Sequence, residues 1–173
     1  MNHRPLLLAL LLTASCASDA PPLPTVEAVD LSRYEGTWFE IASIPVRQQR
    51  GCYRTTATYR LNDDGTVSVV NRCLKGEEAE VAVARGTATA VPGTNGSQLE
   101  VSFFGPFKGD YYVIALAPDY RYAMVGTPER DHLWILSREP TLDDGTFTAL
   151  RQRAEELGFD TRQLTRTPHP RRE

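Results

Sequence analysis

The stretch YEGTWFEIASIP, Tyr34 to Pro45, decides how this chain is read. Gly36 stands two residues before Trp38, and a large ring beside a residue with no side chain marks a close approach of the backbone to something bulky. Seven further stretches resemble TWFEIAS in alternating β-branched or aromatic residues with polar ones: TTATYRL, TVSVVNRC, EVAVARGTATAV, QLEVSFF, YYVIALA, YRYAMVG and HLWILSR. Between them lie the turn signals NDDG, PGTNG, GPFKGD, APD and TPERD, at the spacing of antiparallel hairpins. Eight strands joined this way, with no long crossover for a parallel sheet, give an all-β fold: an up-and-down barrel or a sandwich.

One helix is predicted, from Thr146 to Leu157. Phe147, Leu150, Ala154 and Leu157 recur at helical spacing, Asp143 or Asp144 caps the start, and Gly158 takes the left-handed position at the end. Its apolar stripe needs a partner. YYVIALA, YRYAMVG and HLWILSR are apolar on both alternating faces, as expected of strands that meet a barrel interior on one side and a helix on the other.

The chain has 173 residues, enough for one domain with a substantial core, and a formal net charge of -3. That charge draws it neither to nucleic acid nor to an anionic membrane surface. Only Lys75 and Lys108 are lysines; the other cations are Arg. The opening MNHRPLLLALLLTASC reads as a signal peptide over residues 1–15, with basic Arg4, an apolar run from Leu6 to Leu12 too short to span a bilayer, and small residues before Cys16. The small residues resemble a bacterial lipobox, with Thr13 where Leu is usual, which implies cleavage before Cys16 and acylation of that cysteine. The alternative is a plain secretory signal cut near ASCASDA. Two or more acyl chains suffice for stable anchoring where one does not. Ala17 follows Cys16 where an inner-membrane retention signal has Asp, so the resemblance favours the outer membrane.

Residues 16–29 are read as the lipidated cysteine and a Pro-rich flexible tether, 30–167 as the barrel domain, and 168–173 as a tail. Of three cysteines, lipidation of Cys16 leaves Cys52 and Cys73 as an even pair, read as one disulfide. If the NDDG turn pairs Leu61 with Thr66, Cys52 becomes a diagonal neighbour of Cys73 on one face; a shift of one residue separates them.

Three motifs in order, GTW at Gly36 to Trp38, APDYRY at Ala117 to Tyr122, and LWILSR ending at Arg138, resemble the signatures of the lipocalin family, over Asp30 to about Arg166. The middle motif departs from the family's Thr-Asp-Tyr, with Pro118 where Thr is common. VSFFGPFKGDYYVIAL and YRYAMVGTPERDHLWILSREPT resemble the bacterial outer-membrane subgroup in particular. The resemblance implies an eight-stranded antiparallel up-and-down β-barrel with one C-terminal helix outside. Trp38 closes its floor and Arg138 packs across the ring, with Gly36 beneath.

Fixing Arg138 inward places Leu136, Trp134 and His132 on the same face and turns Leu133 and Ile135 outward. The resemblance adds Tyr122 and Met124, and Tyr111, Val113 and Ala115, as inward residues. In QLEVSFF the apolar set Leu99, Val101 and Phe103 faces in, and Tyr59 and Val69 complete the expected ligand-binding wall. Such a lumen, apolar with tyrosine hydroxyls near its mouth, suits a fatty acid or lysophospholipid, with Arg121, Arg130 and Lys108 near loops where they could meet a carboxylate or phosphate.

No cofactor, metal or nucleic acid is expected, because metal-ligand spacings, phosphate-binding loops and catalytic triad motifs are missing from the sequence. The expected protein is a monomer or homodimer, anchored by lipid to the periplasmic face of the outer membrane and serving its maintenance. Two alternatives stand beside a binding protein: an enzyme of this fold using a lumenal cysteine, and a structural envelope lipoprotein.

Overall fold

The computed structural model describes residues 21–169. The signal peptide, Cys16 and residues 170–173 lie outside the described residues.

Asp30 begins the floor. Its Oδ1 accepts hydrogen bonds from the backbone N–H groups of Ser32 and Arg33 and so caps a single helical turn, α1 (Leu31–Tyr34). Strand β1 (Gly36–Ile44) follows, then β2 (Tyr53–Leu61), β3 (Val67–Lys75) and β4 (Glu80–Ala90). The later strands are β5 (Gln98–Phe104), β6 (Phe107–Leu116), β7 (Tyr122–Gly126) and β8 (Leu133–Ser137). Each strand pairs antiparallel with the next, and β1 pairs with both β8 and β2, which closes an eight-stranded barrel. An up-and-down barrel is therefore the outcome, and the sandwich is not. Helix α2 (Asp144–Glu156) packs outside. Asp143 accepts from the Thr146 N–H at its start, and Gly158, at φ +90°, ends it.

Two apolar clusters divide along the strand alternation. One fills the barrel's closed end and inner wall, including Trp38, Tyr59, Val69, Leu99, Val113 and Leu136. The other lies between the barrel and α2, where Leu150, Ala154, Leu157 and Phe159 meet Met124, Leu133 and Ile135. Gly126 makes room for this packing: a Cβ there would stand 2.5 Å from the Phe159 ring.

The floor rests on one stack. Trp38 is fully buried, its Nε1 donates to the Tyr34 carbonyl at 2.9 Å, and the Arg138 guanidinium lies 3.9 Å from the ring centre. The same guanidinium donates to the carbonyls of Thr37, at 3.2 Å, and Arg33, at 2.8 Å, and so ties β8 to both β1 and α1. Gly36 answers the question its position raises. Its φ is +95°, and a Cβ built on it would sit 3.2 Å from Arg138 Nη1.

Two expectations are corrected at the ends of the described chain. Residues 21–29 are not a free tether: Leu23 and Val29 are each only 5% exposed, the Val26 N–H donates to the Val113 carbonyl, and the Val29 N–H donates to that of Asn95. Apolar residues every third position, Leu23, Val26 and Val29, give this extended segment something to bury although prolines surround it. The C-terminal region is likewise attached. A short β9 (Thr165–Arg166) pairs with β1, the Pro168 carbonyl accepts from the Arg54 N–H, and the His169 ring meets the Glu40 carbonyl at 2.7 Å. Residues 168 and 169 thus belong to the domain.

Trp38→Ala should cost about 3–5 kcal/mol of folding stability, the usual loss for a large aromatic removed from a core. Gly36→Ala should cost about 1–2 kcal/mol through its left-handed backbone. Urea unfolding of both variants checks the order; equal stability of Trp38→Ala and wild type would show that the stack does not hold the floor.

Candidate functional site

Above the floor the barrel encloses a cavity of about 510 Å³. It opens between the segment joining β1 to β2 and the β3–β4, β5–β6 and β7–β8 turns. A 3-10 turn at Arg47–Gln49 lies in the first of these, and Trp134 Nε1 holds it by donating to Gln49 Oε1 at 3.0 Å. The Cys52–Cys73 disulfide, with Cα atoms 5.5 Å apart, pins the end of the same segment to β3. Both sulfurs that a nucleophilic mechanism would require are engaged in it.

Seven of the expected ligand-binding residues line this cavity: Tyr59, Val69, Val101, Phe103, Tyr111, Trp134 and Leu136, with His132 beside them. Leu99 lies lower, against Tyr34 and Val67 at the closed end, and Val113 is fully buried in the core there. Tyr122 and Met124 are corrected. They belong to the cluster under α2, because Ala123 stands opposite Leu136 and Val125 opposite Trp134, so that the intervening residues of β7 turn outward. A bulge in β6 between Val113 and Ala115 sends Ala115 out with them.

The tyrosine hydroxyls are not at the mouth. Tyr111 Oη lies 2.9 Å from both Tyr34 Oη and Tyr59 Oη, a closed trio where α1 seals the barrel. Burial raises the pKa of all three, that of Tyr59 to about 12, so they stay neutral. Nor do the expected arginines serve the mouth. Arg121 is in the turn after β6 at the closed end, and Arg130 donates to the carbonyls of Leu157, Pro128 and Pro21, fastening α2 and the N-terminal segment. Lys108 does line the cavity, and so does Lys75, the only other lysine of the chain. Lys108 pairs with Glu100 at 2.5 Å, and Lys75 donates to the Gln48 carbonyl at 2.7 Å.

Sequence reasoning missed polar residues of the lining, Asp110 on β6 among them, and three stand on β1 to β3: Glu40, Thr55 and Asn71. Alternation would have found all three, since Glu40 is two residues beyond Trp38, Asn71 two beyond Val69 and Thr55 four before Tyr59. Glu40 sits where β1 and β2 part to admit residues 165–169 and is 5% exposed. Burial lifts its carboxyl above the usual range, against hydrogen bonds from Thr167 Oγ1 and Ser43 Oγ. Because the folded value is raised, the stabilisation is complete below the unfolded value of about 4.5 and is lost as pH rises through the folded one. Glu40→Gln, neutral throughout, should therefore gain stability relative to wild type between pH 4.5 and pH 8, as read by paired thermal unfolding at the two pH values. A relative loss at pH 8 would show the carboxylate to be the favoured form.

Comparison with known proteins agrees with this geometry. Residues 29–169 match the model of the lipocalin-like domain. The chain is 40% identical over 164 residues to outer membrane lipoprotein Blc of Escherichia coli K12, covering 94% of this chain and 93% of that protein. It is 37% identical to temperature-induced lipocalin-1 of Arabidopsis thaliana, with 84% and 82% covered. Among solved structures, insecticyanin of Manduca sexta superposes with a TM-score of 0.70 at 22% identity, over 87% of this chain and 86% of that one. A closed barrel on a Trp38–Arg138 floor, with matching sequence across nearly its whole length, makes this chain a member of the lipocalin family.

Proposed function

We propose that this protein is an outer-membrane lipocalin, anchored through an acylated Cys16 on the periplasmic face, whose lumen binds or carries fatty acids, lysophospholipids or similar amphiphiles in maintaining that membrane. The observation that carries the reading is the form of the cavity. Its volume of about 510 Å³ lies within the range of small-molecule sites, and Val69, Val101, Phe103 and Leu136 supply an apolar wall below a rim that holds both lysines of the chain. An acyl chain fits the wall, and an anionic head suits the rim.

The relatives named outer membrane lipoprotein support the location. Among the described residues no helix is long and apolar enough to cross a membrane, and attachment is assigned to the lipid at Cys16. A binding role is preferred to an enzymatic one because Cys52 and Cys73 are joined.

Ala84 lines the cavity on β4, and Ala84→Trp should fill it. Displacement of a fluorescent fatty acid should weaken at least about tenfold, the equivalent of about 1.4 kcal/mol, while the melting temperature holds. Undiminished binding by this folded variant would place the ligand elsewhere. Cys16→Ser should move the protein from the membrane fraction to the soluble periplasmic fraction; retention on membranes would contradict the anchor.

A further inference from the structure

Two phenylalanines stand outside the core where nothing in the fold requires them. Phe104 and Phe107 flank the tip of the β5–β6 turn, at the mouth, and are 70% and 78% exposed. On the adjoining strand, Val81 and Val83 of β4 are exposed as well. The wall is incomplete beside them. β4 is bonded to β5 only from the Thr87–Ser102 pair to the Ala90–Leu99 pair, so that Glu80 to Gly86 have no strand partner on that side among the described residues. Val83 and Phe104 line the cavity although both are exposed, so lumen and exterior meet in this gap.

The N-terminal segment decides which way the mouth faces. It runs down the outside of the barrel from Pro21, whose carbonyl accepts from Arg130 in the β7–β8 turn at the mouth, to Val29, whose N–H meets the Asn95 carbonyl in the β4–β5 turn at the floor. From Cys16 to Pro21 is five residues of sequence, at most about 18 Å of chain. A wall of nine-residue strands such as β1 is roughly 23 Å tall at strand rise and tilt. An acyl group on Cys16 therefore reaches a membrane lying against the mouth and falls short of one lying against the floor. The β5–β6 turn is the next hairpin on the rim after the β7–β8 turn, so the phenylalanines and the anchor share one side of the mouth. Charge does not account for the patch, because Lys75 and Lys108 are matched by Glu77, Glu78 and Asp110 in the same two hairpins. A second copy paired along β4 would cover the valines, but rings at the tip of a turn, on the anchor's side, are what a bilayer requires and a strand partner does not.

We propose that the mouth docks on the phospholipid leaflet that holds the Cys16 acyl chains, with Phe104 and Phe107 inserted into it and the gap between β4 and β5 as the side entrance by which an acyl chain passes from leaflet to lumen. This rests on the acylated Cys16 and the acyl lumen read above, and adds the route between them. The backbone fixes the depth. Unpaired N–H and C=O groups of Glu80 to Gly86 cannot lie in hydrocarbon, so that edge stays among the head groups and only the turn enters, to about 5–10 Å. From there Phe104, Phe103 and Val101, all on the cavity wall, continue the apolar path inward.

The test uses the full chain, purified in detergent from the cells that make it and reconstituted with phosphatidylcholine vesicles. The lipid chains carry bromine, a short-range quencher of tryptophan fluorescence, either near the head group or near the chain end. Phe104→Trp and Phe107→Trp are made singly. Asp63→Trp, exposed in the β2–β3 turn at the floor, is the control, and the wild-type signal of Trp38 and Trp134 is subtracted. Both rim variants should be quenched at least about twofold, more by the shallow bromines than by the deep ones, and the floor variant should not be. Vesicle flotation and melting temperature are read on the same samples. Rim variants that float and melt like wild type yet are quenched at neither position would overturn the proposal and leave the anchor standing; a cross-linked dimer in those samples would assign the patch to a second copy instead. Quenching of Asp63→Trp equal to that at the rim would overturn the orientation. Wild type that does not float would overturn the anchor and this proposal with it.

Discussion

The structure depends on a cation lying flat against a buried ring. An eight-stranded barrel has two ends, and unless one is closed its lumen is a channel through which water reaches every inner side chain. Trp38 supplies the closing surface, but a single ring at the start of β1 cannot hold itself across the opening. Arg138, at the end of β8, crosses the ring at 3.9 Å and reaches the carbonyls of Arg33 and Thr37 in the same gesture. With the ring buried and the guanidinium part-exposed, a stack of this kind is worth about 0.5–2 kcal/mol, with charge-assisted hydrogen bonds adding to it. Lysine would not replace it, since only a planar fork both stacks and donates in two directions. Gly36 is the concession that lets the guanidinium approach the backbone.

Closing the floor separates two environments on opposite faces of the same strands. Outward residues of β6, β7 and β8 bury themselves under α2, so the wall between lumen and helix is apolar on both sides and rigid. On β1 the outward Ile41 and Ile44 belong to that same cluster, and the strand then leaves β2 beyond Phe39. There the wall parts, takes in residues 165–169, and admits Glu40 and its hydrogen-bond partners. The mouth is held by the Cys52–Cys73 disulfide and the Trp134–Gln49 hydrogen bond, which keep a segment of little apolar content across the opening.

Much of this was legible in the sequence, for reasons particular to each residue. Trp38 beside Gly36 has few other uses, and Arg138 at the end of an alternating strand fixed the faces of β8 correctly. The same method failed one strand away. In YRYAMVG both faces are apolar, so alternation gives two equally good answers, and the pairing of Val125 with Trp134 that decides between them is a tertiary fact. The bulge between Val113 and Ala115 leaves no trace in composition. In the N-terminal segment the prolines point to a free tether, while the evenly spaced Leu23, Val26 and Val29 are what attaches it. Thr55 and Asn71 share the faces of Tyr59 and Val69 by alternation, but a polar residue in a strand ordinarily reads as a surface residue, and that prior outweighs the parity.

The central claim is that an acyl chain lies inside the barrel, along the wall of Val101, Phe103 and Leu136, and not under the helix. The most direct measurement is an isotope-edited nuclear Overhauser spectrum of the protein with uniformly carbon-13-labelled stearic acid. Cross-peaks from the chain methylenes to Val69, Val101, Phe103 and Leu136, with none to Met124 or Ile135, are the predicted result. Contacts to Met124 and Ile135, or a labelled chain with no contacts to the lumen residues, would contradict it.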